Sequence, residues 1–190
     1  MTKSSGRPHE SMQLDAGRLG RVEFHWTGDR YRHSWHFPAI GDSMPILTSV
    51  ESTAEAVWPA SPPLQQVHLQ SFDDGREVIF GVGMSGRGHW SASFTMVPEL
   101  KGWIVEFACR SPLVPENLGC VYLRDEKWSL TEQGWQCGTI PLTLEAIAPS
   151  TLQPEGEDRL VLAPGYLPSS VPSTTQWAYR LKLAGAADGE

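Results

Sequence analysis

Two imidazoles and a carboxylate, His25, His36 and Glu23, lie within one short stretch near the start of this 190-residue chain. These are the residue types that form the open site of a catalytic zinc or non-haem iron centre. A hairpin would gather them. Gly28-Asp29 reads as a two-residue turn with glycine in the first position, as a type II′ turn requires, between strands at 21–27 and 30–37. Counting outward pairs Trp26 with Tyr31, Phe24 with His33 and Val22 with Trp35 on an aromatic inner face. The opposite face then carries Arg21, Glu23, His25, Arg32, Ser34 and His36. His25 would face Arg32 and His36 would face Arg21, and cations at those places disfavour a divalent metal. The same arginines with Arg30 form a local positive patch that could hold an anion, or a solvated face neutralised by Glu23 and Asp29. His33, pointing inward, reads as a hydrogen-bonded core histidine.

A second set of polar residues, Gln66, His68, Gln70, Gly81, Gly83, Ser91, Ser93, Glu106 and Arg110, falls on one face of a strand-rich middle region. Small side chains at the centre of a sheet leave room for a ligand, and polar neighbours supply directional hydrogen bonds. His68, Gly81, Ser93, Glu106 and Arg110 are therefore the candidate ligand-binding residues. Ser93, His68 and Glu106 also have the types of a Ser–His–acid catalytic unit, but no strained nucleophile turn accompanies them. Gly81-Val82-Gly83-Met84-Ser85-Gly86 matches the G-x-G-x-x-G spacing of a dinucleotide loop. That loop needs a helix next, whose N-terminus meets the pyrophosphate, whereas residues 89–96 alternate like a strand. No cofactor is expected, and the glycines read instead as a place where something lies close against the sheet.

The elements that must position these residues are strands. From 64 to 122 the sequence reads as five consecutive strands of alternating apolar and polar residues. Asp74-Gly75 suits a two-residue type I′ turn, which pairs Ser71 with Val78, Leu69 with Phe80, Val67 with Val82 and Gln65 with Met84. Across Pro98-Glu99-Leu100-Lys101, Met96 pairs with Trp103, Phe94 with Val105, Ala92 with Phe107 and Trp90 with Cys109. Cys120 and Tyr122 continue the alternation as a fifth strand. Further strands are expected at 45–51, 142–147, 159–162 and 177–183, and one helix at 52–58, capped by Ser52 or Thr53 and ended by Pro59. The fold class is all-β: a single antiparallel sandwich or barrel built around the five-strand meander, with at most one or two short helices.

Eighteen glycines and fifteen prolines fit many short strands, and the domain is expected to span 17–184, with disordered segments at 1–16 and 185–190. Residues 149–175, rich in Pro, Ser and Gly, read as a long surface connection or a lid. Four of the eight tryptophans (26, 35, 90 and 103) fall on core faces, and Trp58, Trp128, Trp135 and Trp177 read as rim anchors or the mouth of a pocket. The three cysteines, 109, 120 and 137, lack C-x-x-C spacing and read as buried thiols. Net charge −7 argues against nucleic acid and acidic membrane surfaces as partners. With no apolar segment near the start, the expected location is the cytoplasm. The functional expectation is non-catalytic binding of a small polar or amphipathic ligand, or of a protein partner that includes another copy of the chain, through the polar sheet face. The alternative is a metal-dependent hydrolase or isomerase using the histidine hairpin.

Overall fold

The computed structural model describes residues 10–38, 44–124, 127–131, 134–138 and 142–183. Among them are fifteen strands: β1 (Met12–Asp15), β2 (Arg21–Trp26), β3 (Tyr31–His36), β4 (Leu47–Ser49), β5 (Gln66–Ser71), β6 (Glu77–Ser85), β7 (Gly88–Val97), β8 (Gly102–Ser111), β9 (Cys120–Arg124), β10 (Trp128–Thr131), β11 (Gly134–Cys137), β12 (Leu142–Ile147), β13 (Thr151–Glu155), β14 (Arg159–Ala163) and β15 (Ser173–Leu183). They form two open antiparallel sheets, of order β1-β2-β3-β4-β9-β14-β13 and β10-β11-β12-β15-β8-β7-β6-β5. The architecture is a sandwich, not a barrel. Helical structure among the described residues is confined to single 3-10 turns such as Gly17–Leu19 and Pro98–Leu100.

Two hairpins adopt the pairing that their turns predict. Trp26 faces Tyr31, Phe24 faces His33 and Val22 faces Trp35 across β2–β3, and Gly28 takes a φ of 116° in the turn. Met96 faces Trp103, Phe94 faces Val105, Ala92 faces Phe107 and Trp90 faces Cys109 across β7–β8. The fifth strand of the expected meander does not stay in its sheet. β9 crosses to the other layer, between β4 and β14, and β15 takes the place beside β8. Residues 149–175 are not one long connection either, since β13 and β14 form a hairpin on the edge of the first sheet. At the other edge, Met12–Asp15 pairs with β2 as β1, inside the stretch expected to be disordered.

The β5–β6 hairpin departs from expectation by one residue. Phe72 N–H donates to Arg76 and Gly75 N–H to Phe72, which closes a three-residue loop over Asp73, Asp74 and Gly75. Gly75 at φ 82° is its left-handed position, and Asp74 accepts from both the backbone N–H and the Nε of Arg76. Leu69 therefore faces Ile79, His68 faces Phe80 and Val67 faces Gly81. A slip of one residue turns β6 over, because side chains alternate with period two. Ile79, Gly81 and Gly83 point to the core, and Phe80, Val82 and Met84 point out.

Residues 52–58 form turns, not a helix. Ser52 Oγ accepts from Ala60 N–H, the Thr53 carbonyl accepts from Ala56 N–H and an Arg30 guanidinium nitrogen, and Val57 lies exposed. Such a segment has too little apolar surface facing the sheet for helix packing to prevail over these local bonds.

The core lies between the sheets and is strongly aromatic. Phe24 meets Phe94 edge-on at 4.9 Å, Trp35 meets Trp103 at 5.2 Å, and Trp90 meets Trp177 at 6.0 Å. Six of the eight tryptophans are buried, and the other two, Trp26 and Trp58, are half-buried and packed against the core. The three cysteines are buried and free; burial pushes the Cys109 thiol up to about 11 and the Cys120 thiol up to about 12. Through this layer runs a polar chain. Trp35 Nε1 donates to Tyr179 OH at 3.0 Å, Tyr179 OH meets Tyr122 OH at 2.7 Å, and Tyr122 OH meets His33 Nε2 at 2.7 Å. His33 is thus the hydrogen-bonded core histidine expected, and burial drives it down to about 3, so the ring is neutral.

Two stability tests follow from this packing. A Cβ at Gly83 would come within 1.7 Å of the Pro63 carbonyl oxygen, whereas at Gly81 it would meet only the flexible tip of Leu64 at 2.9 Å. In urea unfolding, Gly83→Ala is expected to cost about 3 kcal/mol and Gly81→Ala about 1 kcal/mol; equal losses would contradict the inward placement. Tyr179→Phe leaves the Trp35 N–H without its acceptor, and an expected loss of ~2 kcal/mol is read from the same measurement.

Candidate functional site

Each outward residue of the eight-stranded sheet sits in a cross-strand row fixed by the pairing register. One row runs His68, Phe80, Ser93, Glu106, Ala178, Ile147; the next runs Gln66, Val82, Ser91, Ala108, Gln176; and the third runs Met84, His89, Arg110, Thr174. The middle strands bring small side chains, Ser91, Ser93, Ala108 and Ala178, to the centre of the face. β6 supplies an apolar wall on one side, with Val82 and Met84 44% and 48% exposed. On the other side the chain leaves β12 and folds back through residues 148–150, held by Ser150 Oγ accepting from Ala178 N–H at 2.8 Å.

Three hollows result, and shared residues join them into one trough. The first, of about 450 Å³, lies over Ser91, Ser93, Glu106, Ala108 and Gln176 against residues 147–150. The second, of about 540 Å³, shares Ser91 and Ala108 with it and extends over Val82, Met84, His89 and Arg110. The third, of about 680 Å³, shares Met84, His89 and Arg110 and reaches Arg87, Pro112 and Pro172. The trough has two electrostatic ends. Glu106 accepts from Ser93 Oγ at 3.1 Å at one, and Arg87, His89 and Arg110 cluster at the other. Glu106 and Arg110 are four residues apart on β8, about 13 Å along a strand.

Of the five predicted ligand-binding residues, Ser93, Glu106 and Arg110 line this trough. His68 is on the same face but at its margin, on edge strand β5, with its ring stacked on Phe80 at 5.5 Å. Gly81 belongs elsewhere: the one-residue slip places it on the inner face against the Leu64 side chain, beside Gly83, which admits the backbone of Pro63 and Gln65. That is the close approach its small size predicts, made by the chain itself. No Ser–His–acid unit forms, since Phe80 stands between His68 and Ser93, whose strands are about 10 Å apart. Phe80, Val82, Met84, Arg87, His89 and Gln176 are trough residues that sequence reasoning missed. The available signal was the glycine pair: if Gly81 and Gly83 mark the covered face of β6, the residues between and beside them must face outward.

The histidine hairpin brings its three predicted metal ligands together, but as an ion-pair cluster. Glu23 Oε2 lies 3.2 Å from His25 Nε2 and 3.4 Å from His36 Nε2, and its Oε1 lies 2.6 Å from Arg21 Nε. Burial opposes ionisation of Glu23, yet the bonds from Arg21 and His25, with the charges of His36 and Arg21, outweigh it and hold the carboxyl below its usual range. The carboxylate is thus committed to Arg21, and among the described residues no three His, Cys, Asp or Glu side chains are arranged to hold a metal. The expected anion patch is likewise neutralised in part, Arg21 by Glu23 and Arg30 by Asp29 at 2.5 Å.

Behind that hairpin Glu51 is an unusual acid. Ser49 Oγ donates to its Oε1 at 2.7 Å, and its Oε2 is buried without a hydrogen-bond partner, as is one terminal nitrogen of the buried Arg30. Burial raises the Glu51 carboxyl to about 7, only partly opposed by Ser49, Arg30 and Arg32. The folded protein therefore keeps a proton that the unfolded chain releases between pH 4.5 and 7, and this group's contribution to stability declines as pH rises through that window. Glu51→Gln, which keeps an acceptor for Ser49 and cannot ionise, should flatten the decline. In denaturant unfolding from about pH 5 to about pH 8, the variant is expected to gain on the wild type by on the order of 2 kcal/mol; parallel pH profiles would refute the assignment.

Compared with known proteins, the chain matches no family model, no curated protein and no solved structure, so the functional reading rests on the geometry of its own residues.

Proposed function

We propose that this chain is a non-catalytic binding module that takes a small amphipathic ligand on the outer face of its eight-stranded sheet. The observation that supports this most strongly is the continuity of the trough: small residues along the floor, apolar side chains of β6 on one wall, residues 147–150 on the other, and charged side chains only toward the ends. An apolar body with polar termini fits that distribution, because each part meets surface of its own kind. Catalysis is disfavoured by the arrangement of the polar groups. Ser93 donates to Glu106, but His68 is stacked on Phe80, which separates it from Ser93, so among the described residues no serine, imidazole and acid line up as a catalytic unit on this face.

The test uses n-octyl glucoside, a neutral amphiphile, titrated into ¹⁵N-labelled protein. Amide shifts are expected to change along β7, β8 and β15 with an affinity of about millimolar, as a shallow open site of this size allows. Ala108→Trp and Ser91→Trp, two outward substitutions that fill the floor without entering the core, should each abolish the response. Perturbation centred on β2 and β3, or none at all, would overturn the proposal.

A further inference from the structure

We infer that the ligand bears an oxyanion head group, phosphoryl or sulfonyl, bound by Arg87, His89 and Arg110; the inference rests on the trough reading above. His89 and Arg110 are direct cross-strand partners on the outward face, and Arg87 stands beside them in the β6–β7 turn. A guanidinium set opposite an imidazole, with a second guanidinium beside it, is a group of donors that gains nothing from the pairing unless an acceptor lies between them. Here none does. The hollow around them is lined by Met84, Gly86, Arg87, His89, Arg110, Ser111, Pro112 and Pro172, with no carboxylate. Among the described residues neither Arg87 nor Arg110 has an ion-pair partner.

The contrast with the rest of the chain gives this weight. Arg21, Arg30, Arg76, Arg159 and Arg180 each lie on a carboxylate, as expected where acidic residues outnumber basic ones by 22 to 15. Arg18, Arg32 and Arg124 do not, but among the described residues only Arg87 and Arg110 share one hollow without a carboxylate. A surface with excess negative charge has left two guanidinium groups and an imidazole uncompensated at the end of an apolar trough. Two arginine forks and a ring N–H offer the several convergent donors that a tetrahedral oxyanion accepts, more than a single carboxylate can use. The apolar part of the same molecule would run from Met84 and Val82 toward Ala108, away from the charged end and toward Glu106, which repels a second negative group. One anionic terminus is thus accommodated, and two are not.

The experiment compares four probes with one tail: n-octyl phosphate, octanoate, n-octyl glucoside and n-octyltrimethylammonium, each titrated calorimetrically at low salt into wild-type protein and into Arg87→Gln, Arg110→Gln, Arg159→Gln and Ala108→Trp. Octyl phosphate is expected to bind at least about tenfold tighter than the glucoside, with octanoate between them and the ammonium weakest. Arg87→Gln and Arg110→Gln should each remove about tenfold from the phosphate and much less from the uncharged glucoside, whereas Arg159→Gln changes neither. Added salt should weaken the phosphate selectively. Equal affinities for the phosphate and the ammonium, or a phosphate affinity indifferent to both arginines, would overturn the oxyanion assignment and leave the trough standing. Binding of no probe, or binding that survives Ala108→Trp, would overturn the trough itself.

Discussion

A line of hydroxyl and ring-nitrogen contacts through the middle of the apolar layer holds the two sheets in one alignment. Trp35 can only donate, and the direction that uses every hydroxyl proton runs from Trp35 to Tyr179, to Tyr122, to the bare nitrogen of a neutral His33. Aromatic side chains alone pack in several offsets at similar energy, whereas buried polar groups left without partners are costly, so this line selects one offset. Two of its members sit on the strands whose placement defines the topology. Tyr122 belongs to β9, which crosses to the first sheet, and Tyr179 to β15, which lies beside β8 in the second. With β15 in that position, Gln176 and Ala178 reach the trough and the 147–150 segment becomes its wall.

The parts of this fold that can be read from residue order are those where a turn and a pattern agree. Gly28-Asp29 and the Pro98–Leu100 turn each set a register that the flanking apolar residues then confirm, and Ser93, Glu106 and Arg110 could be placed on an outward face from that alone. Asp74-Gly75 misleads because the same dipeptide serves both a two-residue turn and the end of a three-residue one, and the side chain of Asp74 decides between them. A strand rich in apolar residues on both sides, as β6 is, offers no correction. The crossing of β9 is likewise invisible locally: Cys120 and Tyr122 alternate properly in either sheet, and the placement comes from long-range pairing with β4 and β14 together with the contact between Tyr122 and Tyr179. Met12–Asp15 carries too short a pattern to announce a strand, and its order comes from pairing with β2.

Two regions with similar residue types reach opposite electrostatic outcomes. On the first sheet, Glu23 is drawn in by Arg21 and both histidines, and the result is a self-satisfied cluster with little left to offer a ligand. On the second, the charges along β8 are separated by Ala108 and face different neighbours, so neither end neutralises the other. Spacing along a strand, not the inventory of side chains, separates a structural ion pair from charges left without a partner in the fold.

The pleat of β7 and β8 assigns alternate residues to different duties. Trp90, Ala92 and Phe94 on one strand and Val105, Phe107 and Cys109 on the next secure the interior, while Ser91, Ser93, Glu106, Ala108 and Arg110 face the trough. Every trough-facing residue of these two strands is thus bracketed by two that hold the fold, and none belongs to both groups. Such a surface can be rewritten one position at a time without touching the layer beneath. The sandwich is a frame whose outer layer can vary freely while its stability stays under separate control.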